Sequence, residues 1–537
     1  MHPDRGTATA TLPGVAPSPP TQPDTVLGDP GFADISVADW EAAAEATLRG
    51  TPLSALRTTL LDGIDVAPLY TMHRYGTDTD PAGLPGHAPF TRGAAAASGG
   101  RGWEVRQTHD LHLSSTPDAV AVDTTSGVGA VTVARGWDAG HGTALLDAAI
   151  GDAASAGVTI HLQAGTSPAH AEELLETLQR RGADPATVTS WLGLDPIAAT
   201  AAGWASTDGA SLAQAGLKAA RCGADIARRW PSAVPLEVDG SVFADAGAAD
   251  TTELAAMLAC GVAWLRALCD APEGPGLDAS AAARLLGFTL SAGPDAFLMT
   301  AKCRALRTCW TRVLSICGLH VADGRPLPLC LHAVTSTAML SARDQWVNML
   351  RATTATFGAA NGGVDAITVR PFNSVSTGPA SSELGWRVAA NTQLILRHES
   401  RIGTVIDPAG GSWYLEALTK SVASTAWERF RGIEAAGGIY AVMASGECET
   451  MIAADRQRRN EQLAAGERVL VGVTDFVAHD DAANGEAEAA TSHGQAQHGE
   501  QRSGQVFDPA EVAADAPGGG LGTHRWAAPF ETAAKQP

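Results

Sequence analysis

The chain has 537 residues, of which 45% are hydrophobic and 18% charged, a composition typical of a globular protein and not of a disordered one. Its 58 acidic and 37 basic side chains give a formal net charge of −21, which opposes binding to nucleic acid and to anionic lipid surfaces. The sequence does not open with a basic-then-apolar signal, and its apolar runs fall short of the ~20 residues that span a bilayer. We therefore expect a cytoplasmic protein.

Two terminal regions carry little periodicity. Residues 1–34 are rich in proline, threonine and glycine, which predicts a disordered N-terminal arm, and we expect residues 35–60 to form a helical arm. Residues 477–537 read as an acidic low-complexity tail. Its His479, His493 and His498 are irregularly spaced, so we predict no metal site there.

Between these regions, short β-branched runs alternate with longer alanine-rich segments, which predicts repeated β-then-α units. Such units build either a closed (β/α)8 barrel or an open doubly wound sheet, and periodicity alone does not choose between them. The predicted strands are Ala119–Val122, Ala130–Ala134, Val158–Leu162, Leu236–Val238, Leu329–Val334 and Ala366–Val369.

Two helices are predicted in more detail. The first begins at Asp250, with Glu253 three residues on as in a capping box, and its apolar stripe consists of Leu254, Met257, Leu258, Gly261, Leu265 and Leu268. The second runs from Ser382 to Ser400, and its predicted inner face consists of Leu384, Val388, Thr392 and Ile395.

The sequence lacks the motifs of several common kinds of site. The sequence contains no G-x-G-x-x-G after a strand and no Walker-type loop, which argues against a nucleotide-binding fold. The segment DPAGGSWY, residues 407–414, is predicted to be a loop between helices. His109 and His112 lack a nearby third ligand, so we predict no metal there. The eight cysteines contain no C-x-x-C pair and are predicted to be small buried side chains.

Several segments, spread in order from about residue 35 to residue 531, resemble subunits of methylmalonyl-CoA mutase. The last is a short family-like segment, residues 525–531, at the end of the acidic tail. The closest matches are LHAVTSTAMLSARDQWVNMLRAT, residues 331–353, and ANTQLILRHESRIGTVIDPAGGSWYLEALT, residues 390–419. The resemblance implies a (β/α)8 TIM barrel at residues 61–410, through which the pantetheine arm of CoA threads. It also implies a helical linker at residues 411–476, which in catalytic relatives precedes a cobalamin-binding domain.

The departures from the family pattern carry the functional expectation. In a catalytic subunit, the resemblance places a tyrosine after the pair matching Arg106 and Gln107, where it presses on cofactor and substrate; here that residue is Thr108. It also places a histidine that hydrogen-bonds the migrating thioester at the position of Val242. An isopropyl group cannot donate a hydrogen bond. We therefore expect no catalytic residues in this chain.

The family positions that approach CoA are also altered. Arg101 and Arg106 match family arginines near the CoA phosphates and are weak CoA-facing candidates, but Glu104 lies between them where the family has a neutral threonine. A carboxylate near phosphate is repulsive. We interpret this CoA pocket as empty.

The cobalt-ligating motif D-x-H-x-x-G is not found in the sequence, so we expect no flavodoxin-like cobalamin domain and no metal or cofactor in this chain alone. The resemblance then implies a non-catalytic small subunit. Its partner would be a large (alpha) subunit that forms a heterodimer with this chain. That subunit would bind adenosylcobalamin and interconvert methylmalonyl-CoA and succinyl-CoA. Two alternatives stay open: a free-standing acyl-CoA-binding barrel, and an active acyl-CoA mutase that uses a cobalamin domain in trans.

Overall fold

The computed structural model describes residues 35–75, 80–93, 102–110, 116–134, 146–148, 150–151, 158–203, 209–270, 272–319, 329–375, 383–477 and 520–533. Within these ranges the chain divides into two compact units, with the boundary between residues 58 and 59. In the first unit, helix α1, Val37–Thr47, begins at Ser36. The Ser36 hydroxyl accepts a hydrogen bond from Asp39 N at 3.1 Å, and the Asp39 carboxylate accepts one from Ser36 N at 3.0 Å, which completes a capping box. A short 3-10 helix follows at Leu53–Leu56.

The second unit is built on an eight-stranded parallel sheet. Its strands are β1 Glu104–Asp110, β2 Ala130–Ala134, β3 Thr159–Leu162, β4 Trp191–Leu194, β5 Val234–Asp239, β6 Leu286–Ala292, β7 Cys330–Thr335 and β8 Ala366–Thr368. Their order is β3-β2-β1-β8-β7-β6-β5-β4. The two outer strands meet just beyond β3, where Gly165 N donates to Gly193 O at 2.9 Å and Ala164 N to Leu192 O at 3.1 Å. These bonds close the sheet, so the predicted (β/α)8 TIM barrel is confirmed and the open doubly wound sheet is excluded.

Closure depends on Gly193, which has φ +60. A Cβ at this position would overlap Leu162 O and lie 2.9 Å from Gln163 Cα. The backbones of β3 and β4 approach this closely only because residue 193 has no side chain.

Helices surround the barrel and extend beyond it. In the second unit they are α2 Met72–Tyr75, α3 Thr116–Thr125, α4 Pro168–Arg180, α5 Pro196–Ala201, α6 Gly209–Arg229, α7 Ser241–Asp245, α8 Asp250–Cys269, α9 Ala279–Ala283, α10 Ala296–Ile316, α11 Gln345–Asn361, α12 Glu383–Leu394, α13 Trp413–Ala435, α14 Ile439–Ala444, α15 Glu447–Ala464 and α16 Ala528–Ala533. A π-helical turn, Ile395–Glu399, continues α12. A pair of two-residue strands, Thr58–Thr59 and Asp65–Val66, precedes the barrel.

Most predicted strands are confirmed, but one is wrong. Ala119–Val122 lies inside helix α3, where Val120 is buried and Val122 is 56% exposed. Packing against β1 overrides the strand preference of these β-branched residues. The prediction also missed β1, β4 and β6. Strand β1 has the sequence EVRQTHD, with Val105 as its only apolar residue, and it turns Arg106 and Thr108 toward the barrel interior, so neither an apolar run nor an alternation marks it as a strand.

The predicted helix at Asp250 is confirmed, and its apolar stripe is buried. Its predicted capping box is wrong, because the residue before the helix is Ala249 and the two carboxylates point elsewhere. Asp250 and Glu253 instead accept hydrogen bonds from Lys302 Nζ at 2.8 and 2.5 Å. The helix is also long and apolar enough to span a membrane by composition, contrary to our expectation. Since most of it is packed inside the barrel unit, we interpret it as a core helix.

The second predicted helix exists, but its predicted inner face is wrong. Leu384 is 40% and Ile395 is 48% exposed, whereas Ala389 and Gln393 are buried. The Gln393 carboxamide accepts a hydrogen bond from the indole of Trp103 at 3.1 Å. A buried polar residue with a specific partner thus replaces the apolar contact that the sequence pattern indicated.

Helices α13 and α15, from the predicted linker, pack on the barrel. The Asp455 carboxylate of α15 accepts hydrogen bonds from Ala249 N at 2.9 Å and from the Thr252 hydroxyl at 2.5 Å. The loop predicted at residues 407–414 is confirmed up to Ser412, whose hydroxyl caps α13 by accepting from Leu415 N. Among the cysteines, Cys317 is exposed and Cys222, Cys269 and Cys330 are half-buried, so the prediction of burial holds for the other four.

Candidate functional site

A cavity of about 450 Å³ opens at the carboxyl ends of the barrel strands, where TIM-barrel enzymes place their active sites. All eight strands contribute to its wall. The strand residues are Arg106, Thr108, Thr132, His161, Leu162, Trp191, Glu237, Asp239, Thr289, His332, Val334 and Thr368. Side chains that follow the strands complete it, among them Val242, Asp245, Arg370 and Trp386.

The structure brings together the two positions where the family resemblance predicts lost chemistry. Thr108 lies on β1 and Val242 on α7, the short helix that follows β5, and both line this cavity. Side chains alternate along a strand, so Arg106 shares the inner face with Thr108. Gln107 points outward and donates a hydrogen bond to Trp386 O at 3.1 Å. At these two positions, the cavity wall therefore carries the small hydroxyl group of Thr108 and the isopropyl group of Val242.

Arg106, the second predicted CoA-facing residue, is held inside the wall. Its guanidinium lies 2.9 Å from Glu104 Oε1 and 4.8 Å from the centre of the Trp191 ring. Only 4% of the residue is exposed. Arg101 lies outside the described residues, and its role stays a prediction.

Glu104 and His161 complete this charged cluster. His161 Nδ1 accepts a hydrogen bond from Trp191 N at 2.8 Å, so the ring proton is on Nε2, which lies 3.2 Å from Glu104 Oε1. Burial and the Arg106 charge lower the pKa of His161 to about 4. Burial opposes ionisation of Glu104, but His161 and Arg106 outweigh it and lower the pKa of that carboxyl to about 2. The cluster thus holds one cation, one anion and a neutral imidazole.

A second polar network crosses the cavity floor. The Thr289 hydroxyl donates to Glu237 Oε1 at 2.5 Å and lies 3.1 Å from His332 Nδ1. His332 Nε2 lies 2.9 Å from the Thr368 hydroxyl. Burial, with the Arg106 charge, lowers the pKa of His332 well below its usual range. The imidazole is therefore neutral and engaged on both sides.

Sequence reasoning missed this network, and it missed the pairing of His161 with Glu104 as well. One signal was available. Glu237 and His332 each stand inside a predicted strand between apolar neighbours, and a polar residue at such a position in a closed barrel can only face the barrel interior. The sequence could not show that these side chains meet, because their strands are far apart along the chain.

Glu237→Gln is expected to flatten the pH dependence of folding. Burial, and then the nearby Asp239 charge, raise the pKa of Glu237 from 4.5 to about 8. Between those pH values the folded chain keeps a proton that the unfolded chain loses, so stability falls as the pH rises through this window. The neutral amide removes that loss. Urea denaturation measures the free energy of unfolding at pH 5 and at pH 8. We expect this free energy to fall between pH 5 and pH 8 by at least about 1 kcal/mol more in the wild type than in the variant.

The matched control is Glu447→Gln, because Glu447 is exposed and should leave the pH profile unchanged. Parallel profiles for the wild type and the Glu237 variant would contradict the assignment of a protonated carboxyl to the barrel floor.

The histidines that the structure describes in this cavity do not fit a cobalt or other metal ligand. Both ring nitrogens of His161 and of His332 have hydrogen-bond partners, and His109 Nε2 lies 2.6 Å from Asp123 Oδ2. No group of three metal-ligating side chains occurs within the described ranges. His112, His479, His493 and His498 lie outside them. Neither imidazole of this cavity is therefore free to ligate cobalt.

Comparison with known proteins agrees with this architecture. The family model described as methylmalonyl-CoA mutase matches residues 152–504. The chain is 38% identical over 470 residues to the methylmalonyl-CoA mutase small subunit of Streptomyces virginiae, covering 84% of this chain and 73% of that relative. It is 31% identical over 466 residues to the small subunit from Propionibacterium freudenreichii subsp. shermanii, covering 84% and 70%. A third relative, the probable methylmalonyl-CoA mutase small subunit of Mycobacterium bovis, is 34% identical over 440 residues, covering 80% and 68%.

The matched residues include β3 to β8, and with them most of the cavity wall. Three relatives above 30% identity, each covered over more than two thirds of its length, carry the name of one subunit type. The barrel and its cavity are thus those of the methylmalonyl-CoA mutase family, to which this chain belongs.

Proposed function

We propose that this chain is a non-catalytic small subunit of methylmalonyl-CoA mutase. In this proposal a larger partner subunit binds adenosylcobalamin and interconverts methylmalonyl-CoA and succinyl-CoA, and this chain contributes a barrel scaffold. The small-subunit names of its relatives support a larger partner. A net charge of −21 supports a protein that binds neither nucleic acid nor anionic membranes, and the proposed location is the cytoplasm.

The carrying observation is that Thr108 and Val242 line one cavity. The family resemblance places a tyrosine and a histidine at these two positions in catalytic subunits. A threonine side chain cannot fill the volume of a phenol ring. Valine offers no donor to a thioester oxygen, and loss of one positioned donor costs about 10² to 10³ in rate.

The charge balance of the cavity supports the same proposal. Arg106 is the described residue that matches a CoA-phosphate arginine, and its charge is already balanced by Glu104 at 2.9 Å. Arg370 lies 3.5 Å from Asp245. A CoA ester would have to compete with a carboxylate for either guanidinium. The Arg106 side chain is 5% exposed and that of Arg370 is 35% exposed, so separation from the carboxylate costs more at Arg106.

Adenosylcobalamin, when bound to the partner, would supply the radical chemistry. The described residues of this chain would not contact the substrate or the cofactor in that step. Their role in the complex would be to hold the barrel closed and to present its outer helices as interface area.

The test is turnover by the separated and combined subunits. We expect no succinyl-CoA from this chain purified alone with adenosylcobalamin and methylmalonyl-CoA, and we expect it to co-purify with a tagged large mutase subunit as an active complex. Robust turnover by the lone chain would overturn the proposal. Isothermal titration of the lone chain with a CoA ester should be flat, whereas a clear binding isotherm would favour a free-standing acyl-CoA-binding barrel.

A further inference from the structure

The mouth of the cavity is crossed by residues 520–531, the C-terminal strap. Three backbone hydrogen bonds fix its path. Leu521 N donates to Ala201 O at 2.7 Å, His524 N to Asp245 O at 2.7 Å and Trp526 N to Ala338 O at 2.8 Å. The acceptors follow β4, β5 and β7 respectively, so the strap runs across half of the barrel rim.

The strap residues between the first two anchors belong to the cavity wall. Gly522 and Thr523 line the same cavity as Thr108 and Val242. Since the other lining residues come from the strands and from the segments that follow them, the strap covers part of the cavity on the side where ligands enter TIM barrels.

Side chains hold the end of the strap. Glu531 Oε1 accepts hydrogen bonds from the Ser341 hydroxyl at 2.9 Å and from Ala342 N at 2.6 Å, and Glu531 Oε2 pairs with Arg525 at 2.8 Å. The ring of Trp526 lies 5.0 Å from the guanidinium of Arg459. Ala527 packs into a small apolar cluster with Leu463, Leu470 and Val473.

The start of the strap fits only glycine. A Cβ at Gly520 would overlap the backbone of Gly203, which follows α5. A larger residue must therefore lift the strap from the loop that follows β4.

We propose that the C-terminal strap is a built-in closure of the barrel cavity, and that a small molecule reaches the cavity only when the strap leaves the rim. Its anchors lie at the rim of the barrel: the backbone hydrogen bonds, the Glu531 contacts, the Trp526 ring and the small cluster around Ala527. Local opening can therefore occur without unfolding of the barrel. This inference does not depend on the proposed function, because it concerns access to the cavity and not catalysis.

Thiol labelling of the full chain tests the closure. Thr108→Cys places a reporter thiol in the cavity wall, and its reaction with N-ethylmaleimide is followed by peptide mass spectrometry. In this background, Glu531→Ala removes the acceptor for Ser341 and Ala342. We expect labelling of the reporter to accelerate about ten-fold or more, which corresponds to about 1.4 kcal/mol of closing free energy. The exposed Glu447→Ala change serves as the control and should leave the rate unchanged.

Native cysteines separate opening from unfolding. Cys317 is exposed and Cys260 is buried, so Cys317 should react equally in all variants and Cys260 should stay protected. Gly520→Val, which acts at the other end of the strap, should give the same acceleration. An unchanged reporter rate with Cys260 protected overturns the proposal. So does labelling of Cys260 together with the reporter in both strap variants, because the strap would then be part of the barrel core.

Discussion

Lys302→Met is expected to lower the free energy of unfolding by about 3 to 5 kcal/mol, the cost of removing one partner of a buried ion pair. Only 1% of the Lys302 side chain is exposed, and its ammonium group donates to Asp250 at 2.8 Å, Glu253 at 2.5 Å and Ser291 O at 2.9 Å. Burial opposes the charge, but Asp250 and Glu253 outweigh it and raise the pKa of Lys302. Methionine fills a similar volume and leaves the carboxylates without their cation.

Urea denaturation followed by circular dichroism measures this loss, and Lys218→Met is its control because Lys218 is exposed. We also expect the loss to be smaller at pH 5 than at pH 8, because a buried carboxyl without its cation takes up a proton as the pH falls. A loss below about 1 kcal/mol at pH 8 would show that Lys302 is not the counterion that the core requires.

Gly193→Ala is the second change with a large expected effect, because it acts at the seam that closes the barrel. The left-handed φ of +60 costs a residue with a side chain about 1 to 2 kcal/mol. The overlap of its Cβ with Leu162 O forces a backbone shift that costs about 1 to 3 kcal/mol more. We therefore expect the free energy of unfolding, measured by urea denaturation, to fall by about 2 to 5 kcal/mol. The substitution should accelerate amide hydrogen exchange more in β3 and β4 than in β7.

Gly182→Ala separates the two contributions. Gly182 has φ +83, and a Cβ there would meet nothing within 4 Å, so this change should cost only the conformational part. Equal losses for the two variants would mean that the close approach of β3 to β4 does not limit barrel closure.

The sequence predicted well those features that depend on neighbours along the chain. Strand Ala130–Ala134 has the bounds that were expected, and the helix at Asp250 begins where its acidic residues indicated. The errors arise where distant partners decide. Val120 and Val122 favour a strand locally, yet packing against β1 makes a helix. Asp250 and Glu253 suggested a cap, but Lys302, 49 residues beyond Glu253, takes both carboxylates.

For the candidate site, too, the sequence indicated single residues but not the contacts between distant ones. Thr108 and Val242 could be singled out by resemblance, but only the closed barrel places them in one cavity with Arg106. The pairing of Glu104 with both Arg106 and His161 was not foreseen, because His161 lies 57 residues from Glu104. Periodicity could not choose between a barrel and an open sheet, since that choice depends on the seam between β3 and β4.

The Asp455 carboxylate accepts hydrogen bonds from Ala249 N and from the Thr252 hydroxyl, at the buried N-terminal end of α8. The first donors of a helix need partners from outside it. Thr251 N donates to Asp62 at 2.8 Å, whereas Ala249 N and the Thr252 hydroxyl donate to a residue more than 200 positions downstream. A recombinant fragment that stopped at the barrel's last strand would leave these donors buried and unsatisfied. Expression boundaries for this protein should therefore be drawn after α15, and not at the point where the strand repeat finishes.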